Sequence, residues 1–197
     1  AAVLDKLEGK AESFFRCVLF LPNVISVAVI AYLWKFIYNP DFGLLNNILH
    51  AFGQKESVNF FSTENAIWAV LVVLVWHGFG WGMLIYYTGI KNIDPVLYEA
   101  AAIDGIKNRF QEMIYITVPQ MKPQMLFAAV MAVVGAFQNG LISTQLTGNP
   151  SPGYAAQLIV NHIEDYGFLR YEMGYAAAVS VVLLLIVQIF SKGANAL

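Results

Sequence analysis

Hydrophobic residues run in four long stretches along this chain, at about residues 17–38, 66–90, 125–146 and 173–190. A helix needs roughly 20 apolar residues to cross the hydrocarbon core of a bilayer, and each stretch is close to that length. Backbone polar groups in lipid have no water to bond, so stretches of this length predict helices. The pattern therefore predicts an all-α polytopic membrane protein with one domain over residues 1–197.

Two local features inside these stretches carry further predictions. Pro22 and Asn23 fall within the first span and predict a kink there, because proline removes a backbone donor. Gly78 and Gly82 are four positions apart in the second span. Small residues at this spacing let two membrane helices approach closely, so these glycines are predicted to face another helix.

The composition supports a membrane protein and excludes some partners. Hydrophobic residues make up 58% of the chain and charged residues only 12%, about half the charge of a typical soluble domain. The net charge of −2 does not favour a nucleic-acid partner. The single cysteine, Cys17, cannot form an internal disulfide. The chain starts with alanine, and we expect residues to be missing upstream of it.

The distribution of basic residues predicts the orientation in the membrane, because cytoplasmic loops are enriched in lysine and arginine. One side holds eight basic residues: Lys6, Lys10, Arg16, Lys91, Lys107, Arg109, Lys122 and Lys192. The other side holds three: Lys35, Lys55 and Arg170. The first side is predicted to be cytoplasmic, which places the C-terminus and the loop at 91–123 inside the cell. It makes the loops at 39–65 and 148–172 extracytoplasmic.

The loop at 91–123 begins with the signals of a short helix. Asp94 followed by Pro95 predicts an N-cap and a first helical residue. The alanine-rich sequence predicts a helix to about Asp104, and Gly105 can adopt the positive φ that ends a helix. Alanines 100–102 give this helix a slim surface suited to a groove on a partner. The alternative is a solvated amphipathic loop between membrane helices.

A second helix is predicted in the same loop. Asn108 is a candidate N-cap, with Gln111 three residues later as its capping-box partner. The helix is predicted to run from about Arg109 to Thr117 and to stop before Pro119.

The sequence "EAAAIDG", followed by "ITVP", resembles the EAA loop of permease subunits in bacterial ATP-binding-cassette (ABC) importers. The second part of the loop is one residue longer than the commoner spacing. Residues 14–49 and 135–160 are similar to the third helix, the fifth helix and the adjoining outer loops of maltose-type and multiple-sugar permeases. The positions that match the EAA pattern are Glu99, Ala100, Ala101, Asp104, Gly105, Ile116 and Pro119.

The resemblance implies a type I ABC importer permease fold with a cytoplasmic coupling helix. It implies that Glu99, Ala100, Ala101, Asp104, Gly105 and Pro119 couple the chain to a dimer of cytoplasmic ATPase subunits, which carry ATP and Mg²⁺. The other implied partners are a second, homologous permease subunit, an extracytoplasmic solute-binding protein and a sugar or oligosaccharide. Such permeases have six helices or more, so four spans fit a chain without its first helices. No G-x-x-x-x-G-K-[ST] occurs in this sequence, so we expect no ATP hydrolysis by the chain itself.

The predicted solute path follows the third span. Polar residues inside a span are costly and indicate a function, and the amides of Gln138 and Asn139 suit sugar hydroxyls. The resemblance places substrate contacts at this "FQNG" step, where Phe137 can stack on a sugar ring. Ser143 is predicted to line the same path. The alternative role of these polar residues is to join helices to one another.

His77 in the second span can bond a sugar, although a lone histidine in a helix is more often a packed polar residue. We predict no metal site, since His50 and His162 show no metal-ligand spacing. In the outer loop, a short surface helix is predicted from Ala155 to Glu164, and Glu164 and Asp165 are predicted to be solvated.

Other functions stay open at this point. A permease for amino acids, phosphate or metals shares the same loop, although an anionic solute needs positive charge that the spans lack beyond Lys35. A secondary transporter usually shows carboxylates inside its spans, and none of the acids falls clearly within one here. An intramembrane enzyme lacks a catalytic set.

Overall fold

The computed structural model describes residues 9–106 and 108–195, so Lys6 and Lys107, which entered the charge comparison, lie outside the described residues. The described part consists of helices joined by loops. Two wide π-helical segments, Met113–Thr117 and Asp165–Leu169, adjoin the helices. The helices are α1 (Lys10–Val24), α2 (Val27–Ile37), α3 (Leu44–Ala51), α4 (Ala66–Lys91), α5 (Pro95–Ile103), α6 (Arg109–Glu112), α7 (Val118–Gln120), α8 (Lys122–Gln138), α9 (Gly140–Thr147), α10 (Ile159–Glu164) and α11 (Met173–Asn195).

Two of the predicted spans are single long helices. Helices α4 and α11 are each long and apolar enough to cross a membrane. Two bent pairs also qualify when each pair is taken as one span, which gives up to four crossings in the described residues. The pairs are α1 with α2, and the helical segment Arg109–Gln120 with α8.

The first span is broken, so the prediction of one helix over residues 17–38 is wrong. Helices α1 and α2 meet at a bend of 100°. The kink expected at Pro22 and Asn23 is thus present, but as a full break a few residues later, where Ser26 caps α2 by accepting from the Val29 N–H at 3.5 Å. The Asn23 amide donates to the His77 carbonyl at 3.3 Å, which fixes the end of α1 against α4.

The third span is also interrupted, so the prediction of one helix over residues 125–146 is wrong. Helix α8 ends at Gln138, and α9 begins at Gly140. Asn139 between them has φ −78° and ψ 38°, outside the helical range. The break falls at the "FQNG" step that was predicted to contact solute.

The largest hydrophobic core lies where α2, α4 and α9 meet. It includes Ile30, Val70, Val73, Ile142 and Leu146, each at most 3% exposed. Helix α1 packs along α4, and α11 packs along α8. Burial of these apolar side chains holds α2 and α9 against the unbroken helix α4.

Close contact between α1 and α4 depends on Gly80, which corrects the prediction for Gly78 and Gly82. A Cβ atom on Gly80 would lie 2.7 Å from the Leu19 carbonyl oxygen and 2.9 Å from the Phe20 Cα. A Cβ on Gly78 or Gly82 would meet nothing within 4 Å. Gly78 and Gly82 share one face of α4, as predicted, but α1 packs on the opposite face, which carries Gly80.

We expect Gly80→Ala to lower the unfolding free energy by about 1–3 kcal/mol, because backbone atoms cannot move aside as a flexible side chain can. Gly82→Ala is the matched control and is expected to be neutral or slightly stabilising, since alanine favours a helix. Thermal unfolding of the two variants in detergent tests this. Equal effects at both positions would show that α1 and α4 are not in close contact at Gly80.

Candidate coupling loop and solute path

Helix α5 is held at both ends by local hydrogen bonds, which confirms its predicted bounds. The Asp94 carboxylate accepts from the Val96 N–H at 3.0 Å, and Pro95 is the first helical residue. At the other end Gly105 has φ +95°. The Gly105 N–H donates to the Ala102 carbonyl at 3.3 Å, and the Ile106 N–H donates to the Ala101 carbonyl at 3.0 Å. These two bonds form a Schellman motif, which stops the helix after nine residues.

The outward face of α5 is apolar with acidic residues beside it. Val96 is 61% exposed and Ile103 is 88% exposed. Glu99, Ala100 and Asp104 are exposed as well, as a docking surface requires.

Ala101 does not share this surface, which corrects the expectation that the whole alanine run enters a partner's groove. It is 7% exposed and lies on the inward face of α5. A small residue there lets α5 lie close to the rest of the chain. The surface available to a partner is formed by Ala100 and Ala102 on either side of it.

The second half of the loop, residues 108–120, is hydrogen-bonded to α5. The Tyr98 hydroxyl and the Thr117 hydroxyl are hydrogen-bonded at 3.0 Å. Thr117 also donates to the Glu112 carbonyl at 3.4 Å, and the neighbouring Ile116 is buried. Movement of α5 is thereby tied to the helical segment that leads into α8.

The second loop helix begins as predicted but continues further. The Asn108 side chain accepts from the N–H groups of Phe110 and Gln111, both at 3.0 Å. The prediction that the helix stops before Pro119 is wrong, because it continues to Gln120. In the π segment the Val118 N–H donates to the Met113 carbonyl, five residues back. This wider turn leaves room for the proline ring, and Pro119 is accommodated at the start of α7.

The residues predicted for the solute path differ in burial. Phe137 is half-buried and its ring lies 6.4 Å from that of Phe190 on α11. Asn139 is half-buried at the helix break. The side chain of Gln138 lies outside the described residues. His77 is half-buried on α4.

Ser143 does not face an open path in this structure, contrary to the prediction. It is 1% exposed, and its hydroxyl donates to the Ala156 carbonyl of the outer loop. The Ala156 N–H in turn donates to the Ser151 hydroxyl at 3.1 Å. Ser143 therefore attaches the outer loop to α9.

Asn161 lies beside the helix break at Asn139, and the sequence did not reveal this. Its segment was predicted to lie on the outer surface, but it is 2% exposed and reaches the break in the third span. Its amide donates to the Gly140 carbonyl at 2.9 Å and to the Thr144 hydroxyl at 2.6 Å, and its oxygen accepts from the Leu158 N–H at 3.1 Å. The only available signal was the apolar run at 158–160 just before it, which does not identify the partner.

The prediction that Asp165 is a solvated charge is also wrong. It is 4% exposed and forms a salt bridge with Arg170 at 2.9 Å. Hydrogen bonds to the Tyr154 hydroxyl and to Asp165 raise the pKa of Arg170 above its usual value. Glu164 is exposed, as predicted.

Residues 3–194 match the family described as the binding-protein-dependent transport system inner membrane component. The chain belongs to this family. The match confirms the predicted family and the predicted location in the inner membrane, and a relative of the chain is named as a probable ABC transporter permease.

Curated relatives and a solved structure agree with this assignment. The permease is 41% identical over 189 residues to a probable ABC transporter permease, YurN, of Bacillus subtilis (94% of this chain, 64% of the relative). It is 32% identical over 193 residues to the arabinooligosaccharides transport permease AraP of Halalkalibacterium halodurans (97% and 60%). It therefore spans less than two thirds of the length of these relatives.

The solved structure shows the fold. The permease matches a chain of a bacterial ABC transporter involved in import of the acidic polysaccharide alginate, with a TM-score of 0.85 and 24% identity. The match covers 98% of this permease and 68% of that chain. This confirms the predicted type I importer fold.

Deleting the hydroxyl that supports α5 is expected to weaken coupling without unfolding the permease. Tyr98→Phe removes one partly buried hydrogen bond, which contributes about 0.5–1.5 kcal/mol. We expect solute-stimulated ATP hydrolysis by the assembled importer to fall about two- to tenfold, as that energy implies. Tyr115→Phe is the control, because Tyr115 is in the same loop and 69% exposed. Equal activity of the two variants would show that the Tyr98–Thr117 bond carries no coupling.

Proposed function

We propose that this permease is the membrane subunit of an ATP-driven importer that moves a sugar or oligosaccharide into the cell by alternating access. The observation that carries the proposal is α5, a short, doubly capped helix with an exposed apolar face, set between two membrane-spanning segments. A cytoplasmic ATPase dimer would hold α5 in a cleft. Closure of that dimer would move α5, and with it the spans, between two states.

The proposed coupling residues have distinct parts in this contact. Glu99 and Asp104 would bond donors at the edges of the cleft, and Ala100 would enter it. Ala101 and Gly105 would not touch the ATPase. Ala101 would let α5 pack closely on the rest of the chain, and Gly105 would end the helix. Pro119 would direct the helical segment into α8.

A neutral, hydroxyl-rich solute is the best supported substrate. One relative is named for arabinooligosaccharides, and the four spans predicted from the sequence contain one lysine or arginine, Lys35, which lies in the last turn of α2. Phe137, Gln138 and Asn139 remain the proposed contacts at the helix break, with His77 as a further contact. Ser143 is left out, since its hydroxyl is used by the outer loop.

The remaining partners follow from the same proposal. ATP and Mg²⁺ would bind the ATPase subunits, so this chain would not itself be an enzyme. A solute-binding protein would dock on the outer loops at 39–65 and 148–172. Exposed apolar side chains along α2, such as Tyr32 and Phe36 at 75% and 63%, would meet lipid or a second, homologous permease.

The experiment that tests this function is uptake by a reconstituted importer. The full-length permease, its pair mate, the ATPase subunits and the binding protein are placed in proteoliposomes, and uptake of labelled arabinotriose and lactose is measured with and without internal ATP. ATP-dependent uptake of either sugar supports the proposal. Uptake driven by an ion gradient without ATP would indicate a secondary transporter, and ATP-dependent uptake of an amino acid, phosphate or a metal alone would change the substrate class.

A further inference from the structure

Three large exposed side chains occur within four residues just before the last membrane helix. Phe168, Leu169 and Tyr171 are 69%, 61% and 78% exposed. They belong to the turn at residues 165–172, here called the outer turn, and α11 begins directly after it at Met173. Exposed apolar patches usually mark a surface that a partner or a membrane covers.

The outer turn has a fixed shape. Besides its salt bridge to the buried Asp165 carboxylate, Arg170 donates its backbone N–H to the Asp165 carbonyl at 3.0 Å. The Arg170 guanidinium lies over the Tyr166 ring, 4.3 Å from its centroid, so the one positive charge in the turn is bound within it. Tyr171 has φ +59°, which is uncommon for a bulky residue. The apolar side chains are therefore held outward by a constrained backbone.

The outer turn is also packed against the first turn of α11. A Cβ on Gly167 would lie 3.2 Å from the Ala176 Cβ. The rings of Tyr166 and Tyr175 are 4.8 Å apart, and the Ala176 N–H donates to the Glu172 carbonyl at 3.1 Å. The depth of the outer turn in the membrane is therefore set by the position of α11.

The bilayer covers most of α11. Only 6% of its most apolar stretch is buried within the described residues. Its exposed side chains spread around more than half of the helix circumference, which one neighbouring helix cannot cover. They are Val181, Val182, Leu184, Leu185, Ile189 and Phe190. In an inner membrane component, lipid is the covering that fits so wide a surface.

The length of α11 places the outer turn at the membrane surface. Met173 and Lys192 are both in α11. At about 1.5 Å per residue, the helix rises about 28 Å between them, and the hydrocarbon core is about 30 Å thick. With Lys192 at the side predicted to be cytoplasmic, Met173 lies at the outer edge of the hydrocarbon. A tilt of α11 would bring the outer turn deeper still.

We propose that Phe168, Leu169 and Tyr171 insert into the outer leaflet of the bilayer and anchor the outer turn there. The patch continues the lipid-covered surface of α11, and tyrosine is enriched at membrane interfaces. The proposal depends on the membrane location and on no property of the solute. These three side chains would then be closed to a solute-binding protein.

The anchor has a consequence for the break in the third span. Asn161 precedes the outer turn in the same loop and donates to the Gly140 carbonyl at that break. The anchor would therefore keep the Asn161 segment at a constant height in the membrane while the spans move.

The test measures what covers each position, by spin labels on single cysteines in a Cys17→Ser background. The labelled variants are Phe168→Cys and Tyr171→Cys, in full-length permease with its pair mate in nanodiscs of phosphatidylethanolamine and phosphatidylglycerol. Power saturation compares collisions with O₂, which concentrates in lipid, and with a water-soluble nickel chelate. Leu184→Cys on α11 is the lipid reference, and Lys55→Cys, exposed in the other outer loop, is the water reference.

We expect the ratio of oxygen to nickel collisions at positions 168 and 171 to be about threefold or more above that at position 55, because O₂ is apolar. A ratio equal to that at position 55 overturns the proposal, since water then covers the patch. Exclusion of both reagents overturns it as well, because a second subunit then covers the patch. Nickel access that is lost only when the solute-binding protein is added would assign the patch to that protein instead. A water-like ratio at position 184 would remove the lipid-covered surface of α11, and the proposal with it.

Discussion

Gly105→Pro is expected to reduce recovery of the cytoplasmic ATPase with this permease by at least tenfold. Gly105 has φ +95°, whereas proline holds φ near −65°. Proline also removes the N–H that donates to the Ala102 carbonyl. The misfit costs on the order of 3 kcal/mol, and 1.4 kcal/mol already corresponds to about a tenfold change in binding. The end of α5 would unwind or turn away, and its outward face would no longer fit one cleft.

The measurement is co-purification of the ATPase with tagged permease at equal membrane levels. Gly53→Pro is a closely matched control, because Gly53 also has φ +95° and ends α3 with the same pair of hydrogen bonds. It lies in the loop at 39–65, which is predicted to be extracytoplasmic, so ATPase recovery should stay at the wild-type level. If both variants lose the ATPase, the cause is general misfolding. If Gly105→Pro keeps it, α5 is not the docking element.

Asn161→Leu is expected to destabilise the permease by about 2–4 kcal/mol. Asn161 makes three hydrogen bonds while 2% exposed. Leucine would leave the Gly140 carbonyl and the Leu158 N–H without this partner in a buried place, at roughly 1–3 kcal/mol for each unpaired group. Interhelical hydrogen bonds in membranes average only about 0.6 kcal/mol, which keeps the total moderate.

Thermal unfolding in detergent measures this effect, with Asn47→Leu as the control. Asn47 is exposed on α3 and donates one hydrogen bond, to the Phe42 carbonyl at 3.3 Å. Loss of this hydrogen bond in Asn47→Leu is expected to change the unfolding free energy by about 0.5 kcal/mol or less. Similar losses for the two variants would mean that the outer segment does not stabilise the break in the third span.

The coupling loop shows how much local sequence can predict. The N-cap at Asp94, the positive φ at Gly105 and the cap at Asn108 all depend on residues within a few positions of one another. Propensity and capping are local effects, so the bounds of α5 follow from its own residues. Which face of α5 packs inward does not follow from its own residues. The sequence alone could not show that Ala101 is buried while Ala100 is exposed.

The spans show where such prediction stops. Hydrophobic length located all four segments, but a break in a span depends on which distant group satisfies the freed backbone. Asn161 reaches the break in the third span from 21 positions away, where its amide donates to the Gly140 carbonyl. Likewise, Gly80 contacts α1, whereas Gly78 and Gly82 do not. The position of α1 against α4 decides this, and the spacing of glycines within α4 does not reveal that position.

For this protein the sequence by itself determined the membrane class, the orientation expected from charge, the coupling loop and its capped helix, since these arise from composition and from contacts between near neighbours. Only the tertiary structure decided where spans one and three break and that Ser143 and Asp165 are buried and bonded. Each of these depends on atoms brought together from distant parts of the chain, and the free energy of a polar group depends on whether such a partner is present.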